Sequence, residues 1–326
     1  RFRNVTGVQT CALPICNNEN GQLGLSSGSS NVSIPTRVVS SATNKWLKFQ
    51  SISLGYQHTC GISDSTIYCF GDNSYGQIGN GTQSDATLAT SVDELKDKSD
   101  KKPEVVSAGF NHTCAIASGR AYCWGNNNDG QLGSVSKTPV TTPLAVDVSS
   151  TLKDKKLIYI SSGSSHTCAA STSEIFCWGA NWYGQLGNNS SISSSTAVGV
   201  DLTNIPAPRV IQGLSTGPQH TCAISSGIAY CWGNNSSGEL GDGTVTRSLV
   251  PTRVENRIDL LGRAVTDISG LGSQTCVIAS GAPFCWGGGQ KLPTLIDSPL
   301  LEKGFTYAIT SGQSRSEEHT SELQSR

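Results

Sequence analysis

Short runs of apolar and small residues alternate along the chain with polar stretches rich in glycine and asparagine, and no amphipathic helix is visible. In the run CAIASGRAYCW, small and apolar residues lead up to Ser118-Gly119, and an alternating run follows as far as Trp124. Two strand-like runs joined by a two-residue turn predict a β-hairpin. Counting outwards from that turn places Cys114 directly opposite Cys123.

This hairpin is one of five that recur at a step of 54 residues. Their first strands belong to the aligned segments SLGYQHTCGI, SAGFNHTCAI, SSGSSHTCAA, STGPQHTCAI and SGLGSQTCVI. GQLG-like quartets follow the hairpins and start at Gly76, Gly130, Gly184 and Gly238, with an earlier copy at Gly21. A unit of roughly 50 residues that contains several short strands is the size of a propeller blade.

The repeat also resembles that of a known family. HTCAI, GRAYCWGNNNDGQLG and the PTRV segments at 35–38 and 251–254 are similar to the repeat of the regulator of chromosome condensation family. The resemblance covers about residues 17–313 and implies an all-β fold, a seven-bladed β-propeller. Seven units would need roughly 380 residues, so we expect five to six of the seven blades and an incomplete ring. The paired cysteines depart from the eukaryotic pattern and indicate a bacterial-type member.

Both ends of the chain look foreign to the repeat. The opening NVTGVQTCALPI and the closing RSEEHTSELQSR resemble translated sequencing-adapter reads. We therefore expect residues 1–16 and 314–326 to be artefactual segments and residues 17–313 to form a single propeller domain. Cys11 and Cys16 then fall outside the cysteine framework. We expect the true N-terminus to be missing, and any signal peptide with it.

The composition suits a loop-rich globular protein and argues against two classes of partner. The 326 residues include 36 glycines and 12 prolines, and 23 basic against 24 acidic side chains give a formal net charge of −1. A chain with this charge balance has no net positive charge to attract phosphate backbones, so we expect no nucleic-acid partner. No stretch approaches the roughly 18 apolar residues of a membrane-spanning helix. The charged connectors at 94–102 and 153–156 are expected to be solvated loops.

Facing cysteines predict one disulfide in each hairpin. Opposed residues at a non-hydrogen-bonded position have Cα atoms about 4.5 Å apart, which a disulfide accepts. The expected bonds are Cys60–Cys69, Cys114–Cys123, Cys168–Cys177, Cys222–Cys231 and Cys276–Cys285. Because such bonds require an oxidising compartment, we expect an extracellular or cell-surface protein.

A zinc site is the alternative use of these cysteines. His58 and Cys60 share a strand face and Cys69 opposes them, which could supply three ligands. In the fifth repeat Gln274 replaces the histidine while both cysteines remain. This departure favours the disulfide and no metal.

The recurring histidines and tryptophans are expected to be structural, because a general base is needed once per active site and these residues recur. His58, His112, His166 and His220 should each hydrogen-bond a neighbouring strand or loop. Trp124, Trp178, Trp232 and Trp286, with Phe70 in the first repeat, should pack between blades, with ligand stacking as the alternative. Trp182 and Tyr183 lie in a polar loop where the other repeats carry Asn, Ser, Asp or a lone Tyr75, and we predict that they form an exposed anchor for a partner.

No paired carboxylates, phosphate-binding glycine loop or serine elbow stands out, so we expect no catalytic residue, no cofactor and no enzymatic activity. Asn126, Asn128 and Asp129 match only part of a calcium loop. We expect a secreted or cell-surface scaffold, monomeric, that binds a protein or a surface glycan through its rim loops. The family resemblance leaves nucleotide exchange on a small nuclear GTPase with chromatin docking as one alternative, and a propeller-based glycan-acting enzyme is another.

Overall fold

Five four-stranded antiparallel sheets follow one another in chain order in the computed structural model of the protein, which describes residues 18–25, 37–95, 101–146, 151–255, 260 and 262–296. Within each sheet the strands pair in sequence order, so each sheet is a meander and forms one blade. The first strand of each blade packs against the first strand of the next. The described blades do not close into a ring. The prediction of an all-β, incompletely closed propeller is therefore confirmed.

Each blade contains four strands. Blade 1 consists of β1 (Ser51–Leu54), β2 (His58–Ser63), β3 (Thr66–Gly71) and β4 (Ala86–Ser91). Blade 2 consists of β5 (Pro103–Ala108), β6 (His112–Ala117), β7 (Arg120–Gly125) and β8 (Val140–Ala145). Blade 3 consists of β9 (Tyr159–Ser162), β10 (His166–Ala170), β11 (Ile175–Gly179) and β12 (Ser194–Gly199).

Blade 4 consists of β13 (Ile211–Thr216), β14 (His220–Ser225), β15 (Ile228–Gly233) and β16 (Ser248–Arg253). Blade 5 consists of β17 (Val265–Leu271), β18 (Gln274–Ala279), β19 (Ala282–Gly287) and β20 (Gln290–Leu295). The helical structure of the described residues is one short 3-10 helix, Asp93–Leu95, in the connector after blade 1. No helix in these segments is long and apolar enough to cross a bilayer.

The predicted hairpin is formed by the second and third strands of each blade. In blade 2, Cys114 pairs with Cys123 in the register that the sequence predicts. Ser118 and Gly119 form the turn with φ values of 50° and 75°, both in the left-handed region that a type I′ turn requires. The turn chemistry therefore sets the register of the strands.

Two hairpins turn without a glycine. In blade 1, Asp64 and Ser65 adopt positive φ values of 47° and 59°, a region that aspartate tolerates better than most residues. In blade 3, the backbone N–H of Ser171 donates to the carbonyl of Glu174 (3.0 Å), and the Glu174 N–H donates to Oγ of Ser171 (3.1 Å). The serine hydroxyl thus supports the turn that glycine supports elsewhere.

A disulfide closes each hairpin at the predicted pair of cysteines. The bonds are Cys60–Cys69, Cys114–Cys123, Cys168–Cys177, Cys222–Cys231 and Cys276–Cys285, each with Cα atoms 4.1 Å apart. The first four lie in the core between their own blade and the next, in clusters that include a tryptophan of the following blade. Cys11 and Cys16 lie outside the described residues, as do the proposed artefactual segments.

The meander gives the propeller two different faces. The loop face carries the turns between first and second strands together with the quartet loops, which join third and fourth strands at 72–85, 126–139, 180–193 and 234–247. The connector face carries the hairpin turns and the links between blades, including the described residues of the two charged connectors. In blade 5 a two-residue turn at 288–289 replaces the quartet loop.

Residues 18–25 form a quartet loop that packs on blade 1. Thr59 Oγ1 donates to the carbonyl of Gln22 (2.8 Å), and the backbone N–H of Leu23 donates to Oδ1 of Asn18 (2.9 Å). The pattern of contacts between blades therefore begins before β1.

Candidate functional site

The recurring histidines and tryptophans meet at the seams between blades. At the first seam, the backbone carbonyl of Gln77 in the quartet loop of blade 1 accepts hydrogen bonds from two groups of blade 2. The donors are Nε1 of Trp124 (2.9 Å) and Oγ1 of Thr113 (2.8 Å). The threonine hydroxyl also bonds to Nε2 of His58 in blade 1, at 2.9 Å. One carbonyl and one hydroxyl therefore join the two blades.

This arrangement repeats at four seams of the described structure. The bonded Nε2 and Oγ1 pairs are His58–Thr113 (2.9 Å), His112–Thr167 (2.9 Å), His166–Thr221 (3.0 Å) and His220–Thr275 (2.9 Å). The indole donors and their backbone carbonyl acceptors are Trp124–Gln77, Trp178–Gln131 and Trp232–Gln185 (2.9 Å each) and Trp286–Glu239 (2.8 Å). All of these histidines and tryptophans are buried, so a ligand in solution cannot contact them.

Each of these histidines is neutral and carries its proton on Nε2. The threonine hydroxyl already donates its single proton to the quartet-loop carbonyl, so the imidazole has to be the donor. Burial lowers the pKa of His58 and His220 to about 4 and the pKa of His112 and His166 to about 3. Neighbouring histidines lower the pKa of the last two further, whereas Asp72 opposes the shift of the His58 pKa.

A glycine makes room for each histidine ring. A Cβ atom on Gly109 would lie 2.6 Å from Cε1 of His112 and 2.6 Å from the carbonyl oxygen of Gly163. The equivalent crowded glycines are Gly55, Gly163 and Gly217. In the fifth repeat Leu271 stands at the position of the glycine and Gln274 at the position of the histidine. Glycine and histidine are thus replaced in the same repeat, because a glycine is needed only where a histidine ring packs against it.

The three side chains of the alternative zinc site already make other bonds. Cys60 and Cys69 are bonded to each other, and Nε2 of His58 is bonded to Thr113. Across the described segments, no three His, Cys, Asp or Glu side chains are grouped so that they could hold a metal ion.

The partial calcium loop of blade 2 is bonded internally. Oδ1 of Asn126 accepts from the backbone N–H of Asn128 (3.1 Å), and the N–H of Asp129 donates to Oε1 of Gln131 (3.0 Å). These contacts shape the loop itself.

A buried asparagine organises each of the quartet loops from 72 to 247. Oδ1 of Asn181 accepts from the backbone N–H of Leu186 (2.9 Å), and its Nδ2 donates to the carbonyls of Ser190 (3.0 Å) and Ile192 (3.1 Å). Asn73, Asn127 and Asn235 hold their loops in the same way. The sequence-based prediction missed these residues, although each lies four positions after the second cysteine of its hairpin.

The loop face carries an aromatic pair near the inner strands. Tyr56 stacks on Phe110 with ring centroids 4.0 Å apart and planes at 11°. Both residues lie in turns between first and second strands. The equivalent positions in the next three blades hold Ser164, Pro218 and Gly272, so the pair occurs at one seam among those described.

The two predicted anchor residues lie on the same face, in the quartet loop of blade 3. Trp182 is exposed and Tyr183 is half-buried. The loop is held by the buried Asn181 and by a bond from the Tyr183 N–H to Oε1 of Gln185 (3.0 Å). Arg247 of blade 4 donates from Nη1 to the carbonyl of Trp182 (2.9 Å). The structure thus adds an arginine that the sequence-based prediction did not include.

Exposed aromatic side chains beside an arginine on ordered loops can bind a partner. The recurring histidines, which are the usual candidates for a general base, are neutral, buried and already bonded. The arrangement of the described residues therefore supports recognition at the loop face and structural roles at the seams.

The profile of the regulator of chromosome condensation (RCC1) repeat matches residues 17–62, 64–116, 118–170, 173–224 and 226–278. The chain therefore belongs to the RCC1 repeat family, and the propeller is of RCC1 type, as predicted. The segment 64–116 contains β3 and β4 of blade 1 and, in blade 2, β5 and all but the last residue of β6. One sequence repeat thus spans a seam.

Curated relatives share part of their length with this chain. Human probable E3 ubiquitin-protein ligase HERC4 is 33% identical over 229 residues, which make up 68% of this chain and 21% of the relative. Mouse E3 ubiquitin-protein ligase HERC2 is 28% identical over 280 residues, 84% of this chain and 6% of the relative. The chain thus spans about a fifth or less of these relatives.

Solved structures show the same fold at low identity. Human WBSCR16 has a TM-score of 0.77 at 20% identity, covering 91% of this chain and 78% of that one. Prp20p from Saccharomyces cerevisiae, a protein described with its binding properties to Gsp1p and histones, has a TM-score of 0.66 at 17% identity, covering 82% and 68%. At these identities the likeness concerns the fold alone.

The neutral histidines should make stability depend on pH. Below pH 6.5 the unfolded chain binds protons that the buried imidazoles do not, so the free energy of unfolding should fall as the pH decreases toward 4. Each histidine contributes about 1.4 kcal/mol per pH unit in this window. We expect His166→Gln to give a shallower slope when urea unfolding is measured between pH 7.5 and 5. Gln274→Asn is the matched control and should leave the slope unchanged, and equal slopes for His166→Gln and the original chain would contradict the assignment.

The close approach at the seam should make glycine essential there. Gly109→Ala places a methyl group against His112 and Gly163, and we expect it to destabilise the protein by about 1–3 kcal/mol in urea unfolding. Gly199→Ala is the control, because no atom lies within 4 Å of the added Cβ. Equal effects of the two substitutions would argue against the crowded seam.

Proposed function

We propose that this chain is a secreted or cell-surface binding scaffold that recognises a protein or a surface glycan and carries out no catalysis itself. The observation that supports the proposal is the disulfide in each of the five blades. Disulfides form and persist outside the cell and in other oxidising compartments, and they are rare in the cytosol and the nucleus. Five equivalent bonds in one fold favour a protein that works in such a compartment.

The position of the bonds strengthens this argument. The Cys114–Cys123 bond lies in the same core cluster as Ala169 and Trp178 of the next blade. Two unbonded sulfur atoms need more space than a bonded pair, and a close-packed protein core has little free volume for them. The seam is therefore suited to the oxidised form.

The loop face supplies the surface for a partner. It carries Tyr56 stacked on Phe110 and, further out, Trp182 and Tyr183 beside Arg247. Tryptophan, tyrosine and arginine are the residue types that most often dominate binding energy at interfaces. Trp182 and Arg247 do not recur with the repeat, and the stack of Tyr56 on Phe110 occurs at one described seam, so the recurring seam contact does not account for them.

Two alternative functions are less well supported. Nucleotide exchange with chromatin docking takes place in a compartment that keeps thiols reduced, which does not fit five buried disulfides. The yeast relative described for Gsp1p and histone binding is similar to this chain in fold alone. The usual glycoside hydrolase needs two carboxylates on opposite sides of a bound sugar, whereas the loop-face residues proposed to bind a partner are aromatic or basic.

The state of the cysteines tests the compartment. We expect non-reducing mass spectrometry of the protein, exported to an oxidising compartment, to find five bonds of the Cys60–Cys69 type. Opening one bond by the pair of substitutions Cys168→Ser and Cys177→Ser should cost about 2.5 kcal/mol in urea unfolding, because each bond closes a short loop in the unfolded chain. Free thiols, with or without bound zinc, would overturn the proposed compartment.

Binding is tested with the oxidised protein immobilised on a support. We expect it to retain a protein or glycan from a cell-surface extract, and the reduced protein is the matched control. A parallel assay follows nucleotide release from a small GTPase, where we expect no acceleration. If nothing is retained from the extract, or if nucleotide release accelerates, the scaffold function is wrong.

A further inference from the structure

Two quartet loops of adjacent blades, linked by an arginine, carry exposed apolar side chains on the loop face. Trp182 and Ile192 of blade 3 are 54% and 76% exposed, and Val245 of blade 4 is 48% exposed. Together with Tyr183 and Arg247 they are called the blade 3–4 patch. Large exposed apolar side chains gathered on neighbouring loops are a common feature of interaction sites.

Hydrogen bonds hold the members of the patch in place. Nδ2 of Asn181, the residue before Trp182, donates to the carbonyl of Ile192 (3.1 Å). Arg247, two residues after Val245, donates to the carbonyl of Trp182 (2.9 Å) and so ties the loops of the two blades together. The loop backbone that carries the patch is therefore preorganised, which lowers the entropy cost of binding a partner.

The patch also departs from the repeat at its exposed positions. The position of Trp182 is occupied by Ser74, Asn128 and Ser236 in blades 1, 2 and 4. The position of Arg247 is occupied by Asp85, Pro139 and Ser193 in blades 1 to 3. The quartet loops of those blades form with neither an aromatic nor a basic residue at these positions, so folding does not require tryptophan or arginine here.

The arginine replaces a local contact with one across the seam. In blade 1, Oδ1 of Asp85 accepts from the backbone N–H of Asn73 (2.9 Å), and in blade 3, Oγ of Ser193 accepts from the N–H of Asn181 (3.1 Å). Arg247 has no acceptor oxygen with which to make that bond. It donates to the backbone carbonyl of Trp182 instead, which brings its positive charge to the loop that carries Trp182.

No carboxylate of the described residues forms an ion pair with Arg247. Asp242, the acidic residue nearest to it in sequence within the loop, already accepts bonds at Oδ1 from Nδ2 of Asn235 (3.1 Å) and Oγ1 of Thr244 (2.8 Å). The charge of the patch is therefore available to a partner. A carboxylate complements it, because guanidinium and carboxylate form strong charge-assisted hydrogen bonds.

We propose that the blade 3–4 patch binds an extended segment of a partner protein that places an apolar side chain on Trp182 and a carboxylate on Arg247. The inference rests on the proposed function, of which it specifies the surface and the partner chemistry. The exposed aliphatic groups of Ile192 and Val245 favour a protein segment over a glycan, because they offer no hydrogen-bonding atom to a sugar hydroxyl.

The test uses a displayed library of short random peptides, selected on the immobilised oxidised chain. We expect the selected peptides to combine an aromatic or aliphatic residue with aspartate or glutamate. A synthetic peptide from the selection is then titrated against the protein by calorimetry. Replacing its acidic residue with the corresponding amide should weaken binding about tenfold or more.

Matched variants locate the binding site. Trp182→Ser and Arg247→Ser introduce the residues that Ser236 and Ser193 provide in neighbouring loops, so both variants should fold, and thermal unfolding checks this. We expect each to weaken the peptide about tenfold or more. Val135→Ser removes a lone exposed apolar side chain from the same face in blade 2 and should leave the affinity unchanged.

Several outcomes would overturn the inference. The selection could yield no binding peptide, or peptides that lack acidic residues. The Trp182→Ser variant could also bind the peptide with the same affinity as the original chain. Retention of uronic-acid oligosaccharides by the original chain and not by that variant, without peptide binding, would identify a glycan as the occupant instead. The two proposals can fail separately. If the cysteines are free and the chain still binds the peptides through the patch, only the proposed compartment is wrong. If the five disulfides are present and a surface protein is retained, but peptide binding does not depend on the patch, only this inference is wrong.

Discussion

Hydrogen bonds to a single backbone carbonyl in each quartet loop hold successive blades together, and the other recurring residues depend on them. The carbonyl of Gln77 accepts from the indole of Trp124 and from the hydroxyl of Thr113, which in turn accepts from His58. The carbonyl is held in place because the loop is organised by the buried Asn73. Histidine, threonine, tryptophan, asparagine and the crowded glycine are therefore parts of one contact, repeated from blade to blade.

A blade of this kind cannot bury its own core, and the next blade completes it. The hairpin disulfide links two facing strands of one blade and at the same time packs against the tryptophan of the following blade. The seam excludes water, which keeps the imidazoles neutral and makes them poor general bases. The exclusion of water that stabilises the seams therefore also makes the recurring histidines unsuitable as catalytic residues.

The residues proposed for recognition lie where the sequence departs from the repeat. Trp182 and Arg247 occupy positions at which the other quartet loops carry neither an aromatic nor a basic residue, and Tyr56 and Phe110 form a stack at one seam. A residue that recurs in every blade serves an interface that recurs in every blade. A residue that departs from the repeat on an exposed loop is not needed for the recurring seam contact, and we propose that such residues serve a partner. Whether a residue recurs with the repeat therefore distinguishes structural residues from candidate binding residues more clearly than its residue type does.

The sequence by itself determined the repeat, the register of each hairpin, the five cysteine pairs and the exceptional position of Trp182, because all of these follow from residues close together in the chain or from a fixed step. The tertiary structure alone decided which atoms meet between blades. His58 contacts Thr113 across 55 positions and Arg247 contacts Trp182 across 65. Such pairs depend on the angle and spacing at which two blades pack, and neither local propensity nor alternation of apolar residues carries that information.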